Sequence, residues 1–221
     1  MSITPESVEA LLNSGDLGDR LRAVNQMRTL EPAIAYPLLQ QATDDVNPRV
    51  RYAAVSQLAS VGGQDREKTL TTLRDRLRDS DPDVQAAAAD SIGALQLTDA
   101  FGDLQSLYQH TSEWLVKFSI VAALGELGDP RGFDLLQDAI HSSNELMQMA
   151  AIGSFGELGD PRAVELLSPH AQNSDWQVRY RLAQALSRLK SPESTPILET
   201  LAQDSVEQVA AEAQAGLAAG A

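Results

Sequence analysis

The sequence predicts an all-α protein in which short helix pairs repeat along the chain as a solenoid. The segment ELGDPRGFDLL at 126–136 returns 31 residues later as ELGDPRAVELL. The triplet VRY at 50–52 occurs again at 178–180, and VKF lies between them at 116–118. Aromatic residues make up only 5% of a chain whose hydrophobic content is 43%, which favours helices packed closely through small side chains. A sustained period of this length is typical of stacked helical repeats.

An aliphatic position inside the second helix of each pair aligns the repeats at intervals of 31–34 residues. Its members are Val50, Val84, Val116, Met147, Val178 and Val209. The pattern predicts about six complete helix pairs in a single domain over 1–221, with a degenerate start at 1–30 and a weakly patterned C-terminal cap at 210–221. We find no strand-like alternation of apolar and polar residues.

Capping signals recur at the same period. Asp129-Pro130 and Asp160-Pro161 predict the starts of first helices, because Asp suits the N-cap and Pro suits the first helical position. Leu-Gly pairs around Gly125, Gly128, Gly156 and Gly159 predict helix C-termini. The predicted N-caps of the second helices are Asn47, Asp81, Glu113, Asn144 and Asp175.

The residue that follows the aligned aliphatic residue falls within the apolar stripe of the helix. It is Arg51, Gln85, Lys117, Gln148 or Arg179 in successive repeats. A long polar side chain in such a place requires a partner. We expect Arg51 and Arg179 to bridge to the acidic or amide caps of a neighbouring repeat, and contact with a ligand is the alternative.

The next residue along falls roughly opposite the stripe. This outward position holds Tyr52, Ala86, Phe118, Met149, Tyr180 and Ala211. It predicts a partly aromatic surface available to a partner, unless loops or the curvature of the array cover it. Trp114 and Trp176 begin second helices, where they either staple the helix start or form a stacking wall for a flat ligand.

Charge and composition exclude several classes of function. The net charge of −14 argues against nucleic acid or an anionic membrane as the main partner. Without cysteine the chain has no disulfide and no thiolate nucleophile, and the three histidines are better explained as helix caps than as metal ligands. We predict no metal site. The start of the chain has no signal-peptide pattern and no segment is apolar enough to span a membrane, so we expect a cytoplasmic protein.

The DPR turn and the VRxxA-like second helix resemble HEAT-like repeats over essentially the whole chain after about residue 17. A narrower resemblance rests on the segments TPESVEALL, GDRLRAVNQ, VRYAAVSQL, ALQLTDAF, ALGELGDPRGF and DWQVRYRLAQAL. These segments are similar to cyanobacterial phycobilisome degradation proteins of the non-bleaching B type. That family consists of HEAT-like-repeat relatives of the E/F-type phycobilin lyases.

The resemblance implies binding of phycobiliprotein subunits and of their phycobilins, with no permanently bound cofactor. It also implies detachment or handling of the bilin during antenna breakdown near the thylakoid surface. A small proteolysis adaptor is a further partner that it suggests. The candidate ligand- or partner-binding residues are Tyr52, Trp114, Lys117, Phe118, Met149, Trp176, Arg179, Tyr180 and Arg181. Aromatic side chains suit the conjugated face of a bilin, and cations suit its propionates. No residue matches a known catalytic position, and enzymatic turnover is left open. The alternatives are a non-enzymatic scaffold for phycobiliprotein or protease-adaptor assembly and a HEAT partner in iron–sulfur assembly.

Overall fold

A computed structural model describes residues 3–220, and within this range the chain is all-helical, without strands, as predicted. Fourteen α-helices follow one another in this part of the chain. They are α1 (Pro5–Leu12), α2 (Leu17–Met27), α3 (Pro32–Ala42), α4 (Pro48–Val61), α5 (Arg66–Arg76), α6 (Pro82–Ala94), α7 (Phe101–His110), α8 (Trp114–Leu127), α9 (Phe133–Ile140), α10 (Glu145–Leu158), α11 (Ala163–Leu167), α12 (Trp176–Leu189), α13 (Thr195–Leu201) and α14 (Glu207–Gly220). The HEAT-like fold class is confirmed. The degenerate start also forms a helix pair, α1 with α2.

The chain forms two compact units, divided inside α8 between Ala123 and Leu124. In the first unit α4 packs against α2 and α6, while α3 and α5 pack onto α4 and α6. In the second unit α12 packs between α10 and α14. Second helices therefore lie side by side in each unit, and first helices cover them.

The aligned aliphatic position lies in the core, as its sequence pattern predicts. Val50, Val84, Val116 and Val209 are fully buried. The equivalent Met147 and Val178 are buried too. The stripe therefore does the packing, and polar residues inside it must find partners among neighbouring turns.

The predicted N-caps of four second helices, α4, α6, α10 and α12, are confirmed. The side-chain oxygen Oδ1 of Asn47 accepts from the Arg49 amide at 3.0 Å, and Oδ1 of Asp175 accepts from the Gln177 amide at 2.8 Å. The N-caps of α6 and α10 are Asp81 and Asn144. These bonds satisfy amides that have no partner within the helix.

The first helices begin later than predicted. Asp129 caps a short 3-10 turn, Pro130–Gly132, and α9 begins only at Phe133. Asp160 likewise accepts from the Arg162 amide at 3.0 Å, one residue before α11 begins. The Asp side chain bonds to the amide two residues on, which favours a tight turn before the α-helix.

Two of the four glycines predicted at helix ends lie inside helices instead. Gly128 and Gly159 do end α8 and α10, with φ of 65° and 73°. Gly125 and Gly156 are interior, so their prediction was wrong. A Cβ on Gly156 would lie 2.6 Å from the Cα of Ala185 on α12. Glycine is required there because two helix backbones approach closely.

Residues 210–220 continue α14, in which Val209 and Ala213 are fully buried. Among residues 3–220, no helix is both long enough and apolar enough to cross a bilayer.

Candidate functional site

Large apolar side chains are exposed where α8 and α12 begin. Trp114 is 52% exposed and Trp176 is 41% exposed. Each contacts the aromatic residue one turn later on its own helix. The Trp114 and Phe118 ring centroids are 6.5 Å apart, as are those of Trp176 and Tyr180. We call these the first and second aromatic pairs. Both alternatives for the tryptophans therefore have a basis, since each ring packs locally and still faces solvent.

The second aromatic pair carries an unpaired cation beside it. Arg181 follows Tyr180 and is exposed, and its guanidinium makes no hydrogen bond or ion pair with any residue of the range 3–220. Its Cδ lies against Gly153 of α10, 3.5 Å from where a Cβ would stand. The Tyr180 hydroxyl accepts from Gln184 at 3.2 Å. One face of α12 thus presents two rings and a free guanidinium.

The remaining outward-position residues differ in exposure. Tyr52 is 47% exposed, and Met149 and Phe118 are half-buried. Ala86 is 5% exposed, so the prediction that this position always faces outward is wrong at α6. An alanine side chain ends at Cβ and does not extend outward as the Tyr52 side chain does.

Two exposed leucines were missed by the sequence interpretation. Leu115 and Leu146 stand directly before the aligned aliphatic position and are 38% and 54% exposed. Each occupies the first turn of its helix, where a polar residue is the more common choice. A leucine in the first turn, directly before the aligned residue, was the sequence feature that could have predicted these exposed side chains.

Arg51 and Arg179 bridge successive repeats, as predicted. The Nε and Nη2 of Arg51 lie 2.8 Å and 2.7 Å from the two carboxylate oxygens of Asp79. Arg179 contacts Asp204 in the same way, at 2.6 Å and 2.9 Å. Neither aspartate is the N-cap of a helix. Each lies in the turn just before the second helix of the next repeat, α6 for Asp79 and α14 for Asp204. Arg179, a candidate binding residue, is therefore already engaged.

These two-point contacts recur with the same surroundings, and we call each one a clamp. The Nη1 of Arg51 donates to the Asp45 carbonyl at 3.0 Å, and that of Arg179 donates to the Asn173 carbonyl at 2.7 Å. A third clamp joins Arg20, in the segment interpreted as degenerate, to Asp45 of the next repeat. The sequence pattern that could have predicted it is Arg20 four residues after the N-cap Asp16, the same spacing as between Asp175 and Arg179.

The clamps perturb the ionisation of their members. Burial alone would raise the pKa of Asp79, but the hydrogen bonds from Arg51 and the Asp81 amide, with nearby positive charge, lower it below its ordinary value. The hydrogen bond from Arg179 lowers the pKa of Asp204, and burial opposes that shift. Both carboxylates are therefore ionised partners at neutral pH.

Where glutamine replaces arginine, the contact stays within one repeat. Gln85 donates to the Asp79 carbonyl at 2.7 Å, and Gln148 donates to the Ser142 carbonyl at 2.6 Å. Lys117, the remaining cation at this position, places its Nζ 4.9 Å from the centre of the Tyr108 ring.

Two of the three histidines bond to the last turn of their own helices. The Nδ1 atoms of His110 and His141 lie 2.7 Å from the carbonyls of Ser106 and Gln137, one turn earlier. Burial, and then the charge of His141, lower the pKa of His170.

Comparison with known proteins places the fold. The family model for HEAT repeats matches residues 4–83, 70–152 and 135–218. A search of curated proteins finds no match. Among solved structures, the complex of CpcE and CpcF of phycocyanin lyase from Nostoc sp. PCC7120 is similar at 22% identity and a TM-score of 0.66, covering 100% of this chain and 96% of that one.

Two further structures share the architecture. The HEAT-like repeats protein of the archaeon Thermococcus onnurineus NA1 is 13% identical with a TM-score of 0.60, over 100% of this chain and 98% of that one. A designed armadillo repeat protein in complex with the peptide (KR)4 is 18% identical with a TM-score of 0.52, over the full length of both chains. Likeness at these identities concerns the fold. The family model covers nearly the whole sequence, and the chain belongs to the HEAT repeat proteins.

Proposed function

We propose that this chain is a bilin-handling HEAT-repeat protein that binds phycobiliprotein subunits and detaches or carries their phycobilins during phycobilisome breakdown. The observation that carries the proposal is the second aromatic pair beside an unpaired arginine. Trp176 and Tyr180 offer ring faces to a conjugated ligand, and Arg181 offers a free guanidinium to a carboxylate.

The chemistry of an open-chain tetrapyrrole suits this surface. Its conjugated body stacks on aromatic rings, and its propionates pair with cations. In a chain of net charge −14, an anionic ligand is repelled by most of the surface, so a free arginine at one place directs it there. Arg179 is held by Asp204, and we assign it the role of holding α12 in position. Arg181 is the cation available for a propionate.

The other candidate residues take supporting roles. Met149 lies half-buried on α10, which packs against α12, and it extends the apolar surface of the second unit. In the first unit, Trp114 and Phe118 form the equivalent pair, and Lys117 lies on the same helix. Tyr52, exposed on α4, is a contact for the protein partner.

The fold supports this proposal. A chain in the structure of the CpcE–CpcF complex of phycocyanin lyase shares the architecture over the full length of this chain. The bilin is joined to a cysteine of the phycobiliprotein subunit, so the chemistry requires no cysteine from this chain. We place the protein in the cytoplasm at the phycobilisome, with a small proteolysis adaptor as a further partner.

The first experiment mixes the purified chain with phycocyanin, separates the components and records the absorbance spectrum of each. We expect the bilin band to leave phycocyanin and to appear free or on this chain. Trp176→Ala and Arg181→Gln should each reduce that transfer severalfold. Arg188→Gln is the matched control, because Arg188 lies on the same helix and is exposed, and among residues 3–220 its side chain pairs only with exposed Glu157.

The other outcomes separate the alternatives. An unchanged spectrum with a stable complex contradicts bilin handling and identifies a scaffold for phycobiliprotein. An unchanged spectrum without a complex contradicts both. Circular dichroism of each variant shows whether the helices are intact. Equal loss for Arg188→Gln and Arg181→Gln would remove Arg181 from the site.

A further inference from the structure

A second candidate site lies in the first unit, where one repeat lacks its last helical turn. Helix α2 ends at Met27 after 11 residues, whereas α4 has 14 and α6 has 13. The chain turns away at Arg28 and re-enters a helix at Pro32. The last turns of α4 are left without the helical turn that would pack against them.

A cavity of about 490 Å³ occupies that place. The apolar side chains that reach its surface are Leu30, Pro32 and Val61, whereas Met27 and Leu39 are buried. This volume is in the range of sites that hold small molecules, which are mainly apolar with a few polar groups. The lining suits an apolar chain or ring.

The polar groups around the cavity are mostly uncommitted. Arg28 is exposed and lines the cavity, and its guanidinium has no ion pair or hydrogen bond with any residue between 3 and 220, Glu31 of the same loop included. Ser56 and Ser60 have no hydrogen-bond partner in that range either. The amide nitrogen of Gln57 donates to the Val24 carbonyl at 2.9 Å, which leaves its oxygen as an acceptor.

The charge of Arg28 decides the class of ligand. A free guanidinium and two hydroxyls beside an apolar lining match a carboxylate carried on an apolar body. When Arg20 is aligned with Arg51, Arg28 takes the position that Gly125 and Gly156 hold in later repeats. At both glycines, neighbouring helices touch backbone to backbone. An arginine is accommodated here because the helix has ended.

We propose that this cavity binds a small amphipathic monocarboxylate, with the carboxylate on Arg28 and the apolar part against Leu30, Pro32 and Val61. The site lies in the first unit, contains none of the residues proposed for bilin handling, and does not depend on that function. Ser60 stands at the rim, where a larger side chain would close the entrance.

Isothermal titration of the full chain with octanoate tests the proposal, and 1-octanol serves as the uncharged analogue. We expect saturable binding of octanoate in the micromolar to millimolar range. Arg28→Gln should weaken octanoate binding about tenfold while leaving 1-octanol binding nearly unchanged, since only the charged contact is lost. Ser60→Trp should abolish binding of both.

The matched control is Arg49→Gln, because Arg49 is also exposed and unpaired among the described residues but lies at the opposite end of α4. Trp176→Ala, in the second unit, should leave octanoate binding unchanged. Absence of saturable binding by the unaltered chain overturns the proposal. Equal weakening by Arg28→Gln and Arg49→Gln overturns it too, and loss on Trp176→Ala would assign the octanoate to the aromatic surface. Circular dichroism excludes unfolding as the cause of any loss.

Discussion

Two kinds of junction between repeats occur within the same unit, and they differ in chemistry rather than in backbone. Between α4 and α6, Arg51 clamps Asp79, whose side chain is only 4% exposed. One repeat later, Gln85 takes the place of Arg51 and Thr111 takes the place of Asp79. Gln85 bonds only within its own repeat. The helix pair therefore tolerates either arrangement, provided that both residues change together.

The second unit repeats the contrast in the reverse order. Gln148 is followed by Asn173 in the next turn, while Arg179 is followed by Asp204. The turn residue bonds to the backbone in both cases, since Asn173 accepts from the Asp175 amide at 2.9 Å and Asp204 accepts from the Val206 amide at 2.8 Å. The carboxylate adds a buried charge, which requires the arginine.

The strongest way to break a clamped junction is Arg51→Ala. Asp79 would remain buried without its main counter-charge, so we expect the free energy of unfolding to fall by about 3 kcal/mol. Urea denaturation followed by circular dichroism measures the change. Arg49→Ala, an exposed arginine two residues earlier, should cost much less. Equal losses for the two variants would show that the clamp contributes nothing special.

Acid should weaken the clamped junctions more than those that have glutamine in place of the arginine, which we call amide junctions. The pKa values of Asp79 and Asp204 are lowered in the folded chain, so their contribution is complete above the unfolded value of about 3.9 and is lost as pH falls through the folded pKa. Urea midpoints measured between pH 7 and pH 3 should therefore decrease toward acid. Asp204→Asn should be less stable at pH 7 and less sensitive to acid. An unchanged pH dependence in this variant would contradict the assignment.

An amide junction, which has glutamine in place of the arginine, should be convertible into a clamped one. The double change Gln148→Arg with Asn173→Asp reproduces the pattern of Arg179 and Asp204, and we expect it to stabilise the chain by about 1 kcal/mol. Each single change should be neutral or destabilising, because it adds one unpaired charge. A double-mutant cycle by thermal or urea denaturation gives the coupling energy. Additive effects would mean that the two positions do not meet.

Removal of an amide should have the smallest effect. Gln148→Ala loses one hydrogen bond to the Ser142 carbonyl, and we expect a loss of about 0.5 kcal/mol, since alanine also favours the helix. The same denaturation assay applies. A loss as large as that of Arg51→Ala would remove the distinction between the two kinds of junction.

The periodic signals predicted the fold well because each acts locally. Asn47 and Asp175 cap helices through bonds to amides two residues away, and such contacts depend only on the adjacent chain. The bridging role of Arg51 was also predictable, because a cation in an apolar stripe requires a partner. Its partner was predicted less well, since the caps were expected and the preceding turn supplied it.

The failures came from contacts between helices. Gly156 resembles a helix end in sequence, but its reason is the backbone of α12. Ala86 was predicted to face outward, but it is buried. The cavity beside Arg28 depends on the early end of α2, for which the short interval between Met27 and Pro32 was the available signal. The roles of the aromatic pairs remain predictions.

Each clamp needs an arginine in one repeat and an aspartate in the next, so it restricts which repeats can follow one another. The repeat that contains Asp45 and Arg51 receives a clamp from Arg20 and gives one to Asp79. A tandem duplication of this segment would place a new Arg51 before a new Asp45, and every copy would find its partner. Duplication of the next repeat would set Asp79 after Gln85 and bury a lone carboxylate. Only some repeats of this chain can thus be duplicated without a compensating substitution. The repeat that contains Asp45 and Arg51 is one at which the array could lengthen.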